Sequence, residues 1–286
     1  MINDWITGTT TLYGIMGYPV SHSLSPIIHN TAFHYLKIAS CYVPWNVFPE
    51  KFETALRGAQ ALGIKGLNIT IPHKETALYL CDMVSDEARA IGAVNTIVFT
   101  ENLIRGYNTD AYGFFRALQT CNIDQKNKNI LILGAGGGAR AVAYALGNFF
   151  PESTIFISNR TTEKANKLVK HFNNMFEKND LFRSVTASDM KTIQFSLVVN
   201  TTPPQSEHFD EQLFKRYTGT AIDIAYSIND TPFLSMAKKH QWIISDGLEM
   251  LLFQAAQSFK LWTNEEMPMD AVRKVLSPKK FLQRNS

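Results

Sequence analysis

The chain of 286 residues is about twice the length of an ordinary domain, and 45% hydrophobic against 19% charged residues excludes a disordered chain and predicts a buried core. Its 28 basic residues nearly balance 25 acidic ones, and the short basic patches Lys238-Lys239 and Lys279-Lys280 stand apart from aromatic clusters, which argues against a nucleic-acid partner. Cys41, Cys81 and Cys121 lack the spacing of a metal knuckle or a redox pair, the N-terminus lacks a leader pattern, and no apolar run reaches membrane-spanning length; the expectation is a cytoplasmic protein with no metal and no membrane partner.

From Leu12 to about Thr100, β-rich runs (LYGIMG, CYVPWNV, GLNITI) alternate with amphipathic stretches such as EKFETALRGAQALG. The runs are almost continuously apolar, as strands covered on both faces are, so an α/β domain with a mainly parallel sheet is predicted. Polar residues interrupt this pattern in a few places. In Ser21-His22-Ser23-Leu24-Ser25-Pro26, hydroxyls precede a helix that proline would start; Ser23 and Ser25 either cap that helix or bind a carboxylated or hydroxylated ligand. In Asn68-Ile69-Thr70-Ile71-Pro72-His73-Lys74, a lysine opens a helix, where the macrodipole disfavours it, so Lys74 is either fully solvated or faces an anion. Gly92-Ala93-Val94-Asn95-Thr96 sets a polar pair in an apolar run, and Gly106-Tyr107-Asn108-Thr109-Asp110 ends with an aspartate at the start of the next helix.

After Asp110, the helix AYGFFRALQTC and the polar stretch NIDQKNKN lead to the strand NILIL, a glycine turn, the helix ARAVAYALGNF and the strand TIFIS, one complete βαβ unit. The turn Gly134-Ala135-Gly136-Gly137-Gly138-Ala139 fits the dinucleotide fingerprint in its required setting, directly after a strand and before a helix. Gly134 permits the tight turn, Gly136 lets backbone approach a pyrophosphate at the helix N-terminus, and Ala139 allows close helix packing. About 20 residues on, an NAD enzyme places an acid for the ribose 2′-hydroxyl. Here Ser158-Asn159-Arg160-Thr161 stands instead. Arg160 offers a donor fork to a 2′-phosphate, with Asn159 and Thr161 as further donors, so NADP is favoured. Lys164 is either a second positive charge for that phosphate or a solvated helix lysine. Further strands at SLVVN, AIDIAY and WIISD, with a helix from about Pro232 to His240, would continue the same parallel sheet. GLEMLLFQAAQSFKLW is a helix apolar on more than one face.

In order, SHSLSP, NITIPHK, GAVNT, NTDAYGF, GAGGGAR, SNRT, NTTP and GLEMLLFQAA span nearly the whole chain, and together they resemble the shikimate dehydrogenase family. The resemblance implies two α/β domains, a substrate-binding catalytic domain of residues 1–110 plus 246–286 and an NADP-binding Rossmann domain of residues 111–245. It implies NADP-dependent, reversible reduction of 3-dehydroshikimate to shikimate, in the pathway to chorismate and the aromatic amino acids, by a monomer or homodimer. Ser23 and Ser25 would bind the substrate carboxylate, joined by Thr70, and Asn95 would bind a ring hydroxyl. Lys74 and Asp110 would form the acid–base pair. Gln254 would bind the substrate and so return the C-terminal helix to the substrate domain, with Gln257 one turn further, while Gly247 would join the cofactor set. Tyr226 is expected near the substrate, although the family's Asn-Pro after this tyrosine is replaced by Ser227-Ile228. Two other readings remain open from the residues: a quinate or dual quinate/shikimate dehydrogenase, and a nucleotide sensor without chemistry.

Overall fold

The computed structural model describes residues 6–121, 123, 129–203, 210–215, 217–227 and 229–276. The polar stretch after α5, most of the NTTP loop's continuation and Lys279-Lys280 lie outside the described residues. The chain divides into two compact units, Met1–Thr109 with Gln254–Ser286, and Asp110–Phe253.

The first unit runs β1 (Thr11–Gly17), α1 (Ser25–Leu36), β2 (Ser40–Asn46), α2 (Phe52–Ala61), β3 (Gly66–Ile69), α3 (Lys74–Leu80), β4 (Met83–Val84), α4 (Asp86–Ile91), β5 (Thr96–Phe99) and β6 (Ile104–Tyr107). Its six-stranded sheet has the order β2-β1-β3-β5-β6-β4. β1 runs parallel to β2 and β3, while β5 is antiparallel to both β3 and β6. The parallel strands are the apolar runs read from the sequence; β3 is buried at every position. β5 and β6 were not foreseen, because at four residues each they carry too short a pattern to separate from loop. Local signals set the helices. Pro26 sits in the first turn of α1, Ser85 accepts the Ala88 N–H at 3.2 Å to cap α4, and Gly92, at φ 77°, ends α4 in the left-handed conformation glycine tolerates. Neither Ser23 nor Ser25 caps α1: the capping position is Leu24, and Ser23 Oγ instead accepts the Ser25 N–H at 3.2 Å.

The second unit runs α5 (Asp110–Gln119), β7 (Asn129–Leu133), α6 (Gly137–Phe149), β8 (Thr154–Ser158), α7 (Thr162–Met175), β9 (Phe182–Ser184), β10 (Leu197–Asn200), α8 (Gln212–Lys215), β11 (Thr220–Asp223), α9 (Pro232–Lys239), β12 (Ile243–Ser245) and the start of α10 (Leu248–Thr263). Its sheet, β12-β11-β10-β7-β8-β9, is parallel throughout. Strand order reverses between β7 and β10, so the loops after these two strands frame the crevice where doubly wound sheets take ligands. Ile130, Ile132, Val142, Leu146, Ile155 and Val199 are completely buried in one core between sheet and helices.

Two boundaries differ from those expected. Asp110 clusters with the second unit, as the first residue of a helix packed on α6. Residues 246–253 do the same, because Met250 is buried in the core of the second unit, the Phe253 ring lies 4.9 Å from the Arg116 guanidinium, and Gly247 N donates to Ala225 O at 3.0 Å. The continuous helix α10 thus gives its first residues to the second unit and the rest, from Gln254, to the first, where α11 (Met269–Leu276) packs on α1.

Candidate functional site

In the first unit, parallel β1 and β3 end at the edge where β5 begins and β6 ends, since Asn68 pairs with Thr96 and Thr96 with Tyr107. Main-chain hydrogen bonds join the segments there: Ile69 N to Asn95 O at 2.8 Å, Thr70 N to Met16 O at 3.0 Å and Val94 N to Lys74 O at 2.9 Å. Thr70, Lys74 and Asn95 are therefore held at one edge by bonds that do not involve their own side chains. Gly17 is required by this arrangement, because a Cβ there would strike Thr70 Cγ2. Tyr18 N donates to Ile71 O at 2.9 Å, and Ser23 N donates to Val20 O at 3.1 Å, which folds the serine loop back after β1. Ser23, Thr70 and Lys74 are half-buried, while Ser25 is buried.

Asn95 is buried at the same edge. Its Oδ1 accepts the Thr109 N–H at 2.7 Å, and its Nδ2 donates to Thr109 Oγ1 at 3.0 Å and toward Gln254 Oε1 at 3.4 Å. Gln254 therefore lies with Asn95 in the first unit, as Gln254 and all of α10 beyond it cluster there. Gln257, by contrast, is only half-buried; the residue of α10 that joins the polar cluster is Ser258, one turn beyond Gln254. The sequence reading missed Thr109 and Ser258 as partners of these amides. The available signal was a serine at helical spacing from Gln254 on an otherwise apolar face.

In the second unit, the glycine turn follows β7. Gly134 has φ +113°, a conformation that disfavours L side chains, and a Cβ there would meet Thr201 Oγ1. Thr201 belongs to the loop after β10, and its Oγ1 donates to Leu133 O at 2.7 Å, so the two loops of the strand-order reversal are tied together. Gly136 precedes α6 in extended conformation and is exposed, and a Cβ there would meet nothing. That open backbone, at the N-terminus of a 13-residue helix, fits the pyrophosphate of a dinucleotide. Gly137 and Gly138 form the first turn of α6 with Ala139 buried beneath, and a Cβ on Gly138 would meet Ile224 Cδ1. Ala135 is half-buried against the core of this unit.

Asn159, Arg160 and Thr161 connect β8 to α7. Asn159 Nδ2 donates to Thr161 O at 3.0 Å, which shapes the turn. Arg160 and Lys164 are exposed and make no ion pair among the described residues. Asp223 at the end of β11 is fully buried, and burial pushes its carboxyl above the usual aspartate range. It accepts the Thr231 hydroxyl at 2.6 Å and the Ala225 N–H at 3.0 Å, pinning both ends of the loop that carries half-buried Tyr226. Ile228 of that loop lies outside the described residues. Gly247 packs against the same loop, since a Cβ there would strike the Ile224 carbonyl.

Lys74 opens α3 in the first unit and Asp110, buried, opens α5 in the second. Among the described residues no helix is long and apolar enough to cross a membrane, and no group of three or more His, Cys, Asp and Glu side chains could hold a metal.

A parallel doubly wound unit with a phosphate-binding glycine turn, joined to a second α/β unit carrying a clustered polar edge, defines a two-domain dinucleotide-dependent oxidoreductase. The substrate-binding domain of shikimate dehydrogenase matches residues 15–97, shikimate/quinate 5-dehydrogenase residues 116–230, and the shikimate 5′-dehydrogenase C-terminal domain residues 247–276. The chain belongs to the shikimate dehydrogenase family. It is 38% identical over 273 residues to the shikimate dehydrogenase (NADP(+)) of Caldanaerobacter subterraneus, covering 93% of this chain and 96% of that one. A crystal structure of a shikimate dehydrogenase in complex with NADP+ superposes with a TM-score of 0.85 at 33% identity, covering 100% of this chain and 99% of that one. The Thermus thermophilus enzyme in complex with shikimate gives 0.82 at 33% identity, covering 96% and 100%.

Proposed function

We propose that the chain reduces 3-dehydroshikimate to shikimate, reversibly, with Lys74 and Asp110 as the acid–base pair. As a member of its family it is an NADP-dependent oxidoreductase of the shikimate pathway. The observation that carries the finer reading is the edge of the first sheet, where Thr70, Lys74 and Asn95 are gathered by main-chain bonds. Ser23 and Ser25 supply hydroxyl donors for the ring carboxylate and Thr70 joins them, while Asn95 and Gln254 hold ring hydroxyls. The cofactor pyrophosphate fits Gly134 to Ala139, and Arg160, with Asn159, Thr161 and Lys164, receives the 2′-phosphate. In this reading Tyr226 takes part in substrate binding and Gly247 in cofactor binding.

NADPH, when bound, supplies a hydride to the 3-keto carbon. The oxygen left behind needs a proton as its charge develops. Lys74 Nζ gives that proton, with Asp110 as its partner in the pair. In the reverse direction Lys74 takes the proton from the 3-hydroxyl. The enzyme works in the cytoplasm as a monomer or homodimer in this reading.

The test is spectrophotometric: oxidation of NADPH and of NADH, each with 3-dehydroshikimate and with 3-dehydroquinate. The expected result is fastest turnover of NADPH with 3-dehydroshikimate. Preference for NADH and 3-dehydroquinate would make the chain a quinate dehydrogenase, and no oxidation of either cofactor would leave a nucleotide-binding sensor.

A further inference from the structure

In the second unit, one chain of side-chain bonds runs across the ends of β7, β10 and β11. Asn200 and Asp223 are register partners where β10 and β11 end, so their side chains leave the sheet on the same face. Both are buried. The Thr202 main-chain N–H points at one terminal atom of the Asn200 amide at 3.1 Å, and a main-chain N–H only donates, so that atom is Oδ1. Oδ1 also takes the Thr202 hydroxyl at 2.6 Å, and Nδ2 donates to the Asp223 carboxylate. The Asn200 amide is thus held at both ends, and the carboxylate behind it is itself anchored by the Ala225 N–H at 3.0 Å and the Thr231 hydroxyl at 2.6 Å.

No hydroxyl proton serves twice in this chain. Thr202 gives its proton to Asn200 and Thr231 gives its proton to Asp223. Thr201 gives its own to Leu133 O at 2.7 Å, where its main-chain N–H also points, at 2.8 Å. The loop after β10 is therefore tied twice, by Thr201 to the end of β7 and by Thr202 to Asn200. Both residues stand against the first glycine of the turn: a Cβ on Gly134 would meet Thr201 Oγ1 and would come to 3.4 Å from Thr202 Cγ2. Gly134, at φ +113°, has no side chain to hold its own course, so the wall that Thr201 and Thr202 build beside it sets where the main chain of the turn runs.

We propose that Asn200 is a positioning residue for the dinucleotide: backed by Asp223, it holds Thr202 and with it the loop that keeps the glycine turn in place for the pyrophosphate. This rests on the reading above that gives Gly134 to Ala139 to the cofactor. The pyrophosphate is common to NADPH and NADH. Loosening the loop therefore weakens both cofactors by the same factor, whereas loss of Arg160 is felt by NADPH alone.

The experiment is fluorescence titration of NADPH and of NADH, with steady-state kinetics beside it, on variants of the full chain. Thr202→Val keeps the shape of the side chain and removes its hydroxyl; Kd for both cofactors should rise by about fivefold, the scale of one neutral hydrogen bond, with kcat changed by less than about twofold. Thr202→Ser keeps the hydroxyl and should bind both cofactors within about twofold of wild type. Asn200→Ala should weaken both at least as much as Thr202→Val does, and because Thr202 acts through Asn200, adding Thr202→Val to it should cost nothing further. The two Thr202 variants decide the matter by themselves if Asn200→Ala does not fold. A lowered melting temperature with unchanged Kd in Thr202→Val, a loss confined to NADPH, or a serine variant as weak as the valine one would overturn the positioning role and leave the cofactor assignment standing. If the wild type bound neither cofactor, that assignment and this inference would fall together.

Discussion

His29 offers a perturbation whose size follows from the structure. Its ring is completely buried in the first unit, stacked on Tyr42 at 4.5 Å and 8° and tilted against Trp262 at 5.1 Å, and neither ring nitrogen has a hydrogen-bond partner. Burial lowers the imidazole from 6.5 to about 3. The folded state therefore keeps His29 neutral where the unfolded chain protonates it. Its contribution to stability is complete above the unfolded value and is lost as pH falls from 6.5 toward about 3. At about pH 5 the loss is roughly 1.5 pH units at ~1.4 kcal/mol each, on the order of 2 kcal/mol, a sizeable fraction of a domain's net stability. His73, also lowered by burial, adds a loss of the same sign, so the comparison must be made between wild type and a variant. His29→Met has a similar volume and removes two unpartnered nitrogens, and at neutral pH it should be neutral or stabilising. Urea unfolding followed by tryptophan fluorescence, with Trp262 beside the substituted position, should show the wild type losing about 2 kcal/mol more than His29→Met between about pH 7 and about pH 5. Equal losses for the two proteins would refute the reasoning.

Lys74→Ala should lower turnover by roughly a hundredfold or more, the range for loss of a positioned acid, with cofactor affinity almost unchanged; Asp110→Asn should do the same, and the double variant should be scarcely worse than either in stopped-flow or steady-state assays. Near-normal turnover with weakened substrate binding would make Lys74 a binding residue. Arg160→Ala should weaken NADPH by about 1.5 to 3 kcal/mol and leave NADH little affected, as read by fluorescence titration, and equal losses for both cofactors would remove Arg160 from the 2′-phosphate site. Ser23→Ala and Thr70→Ala should raise KM for 3-dehydroshikimate more than they lower kcat; a pure turnover defect would reassign them to the chemistry. Thr231→Val takes from the buried Asp223 carboxyl a donor that holds its proton affinity down, so the loop carrying Tyr226 should loosen, and calorimetry should show destabilisation of roughly 1 to 3 kcal/mol.

Much of this protein was legible in its residues because the relevant chemistry is local. A glycine turn between a strand and a helix, the absence of an acid after β8, and a proline at a helix start act over a few residues, and each kept its place in the structure: Gly134 at φ +113°, Arg160 exposed after β8, Pro26 in the first turn of α1. Parallel strands buried on both faces read as apolar runs for the same reason. The short antiparallel strands β5 and β6 gave no such signal, yet their pairing brings Asn95 to Thr109. Tertiary structure alone decided that Ser258, and not Gln257, joins the amides, since Ser258 meets Asn68 across 190 residues of chain. It also decided that α10 is shared, with Met250 in one core and Gln254 in the polar cluster of the other unit. Sequence pattern records which face of an element is apolar; which partner meets a polar side chain on that face depends on donors and acceptors that only folding brings within 3 Å or so of one another.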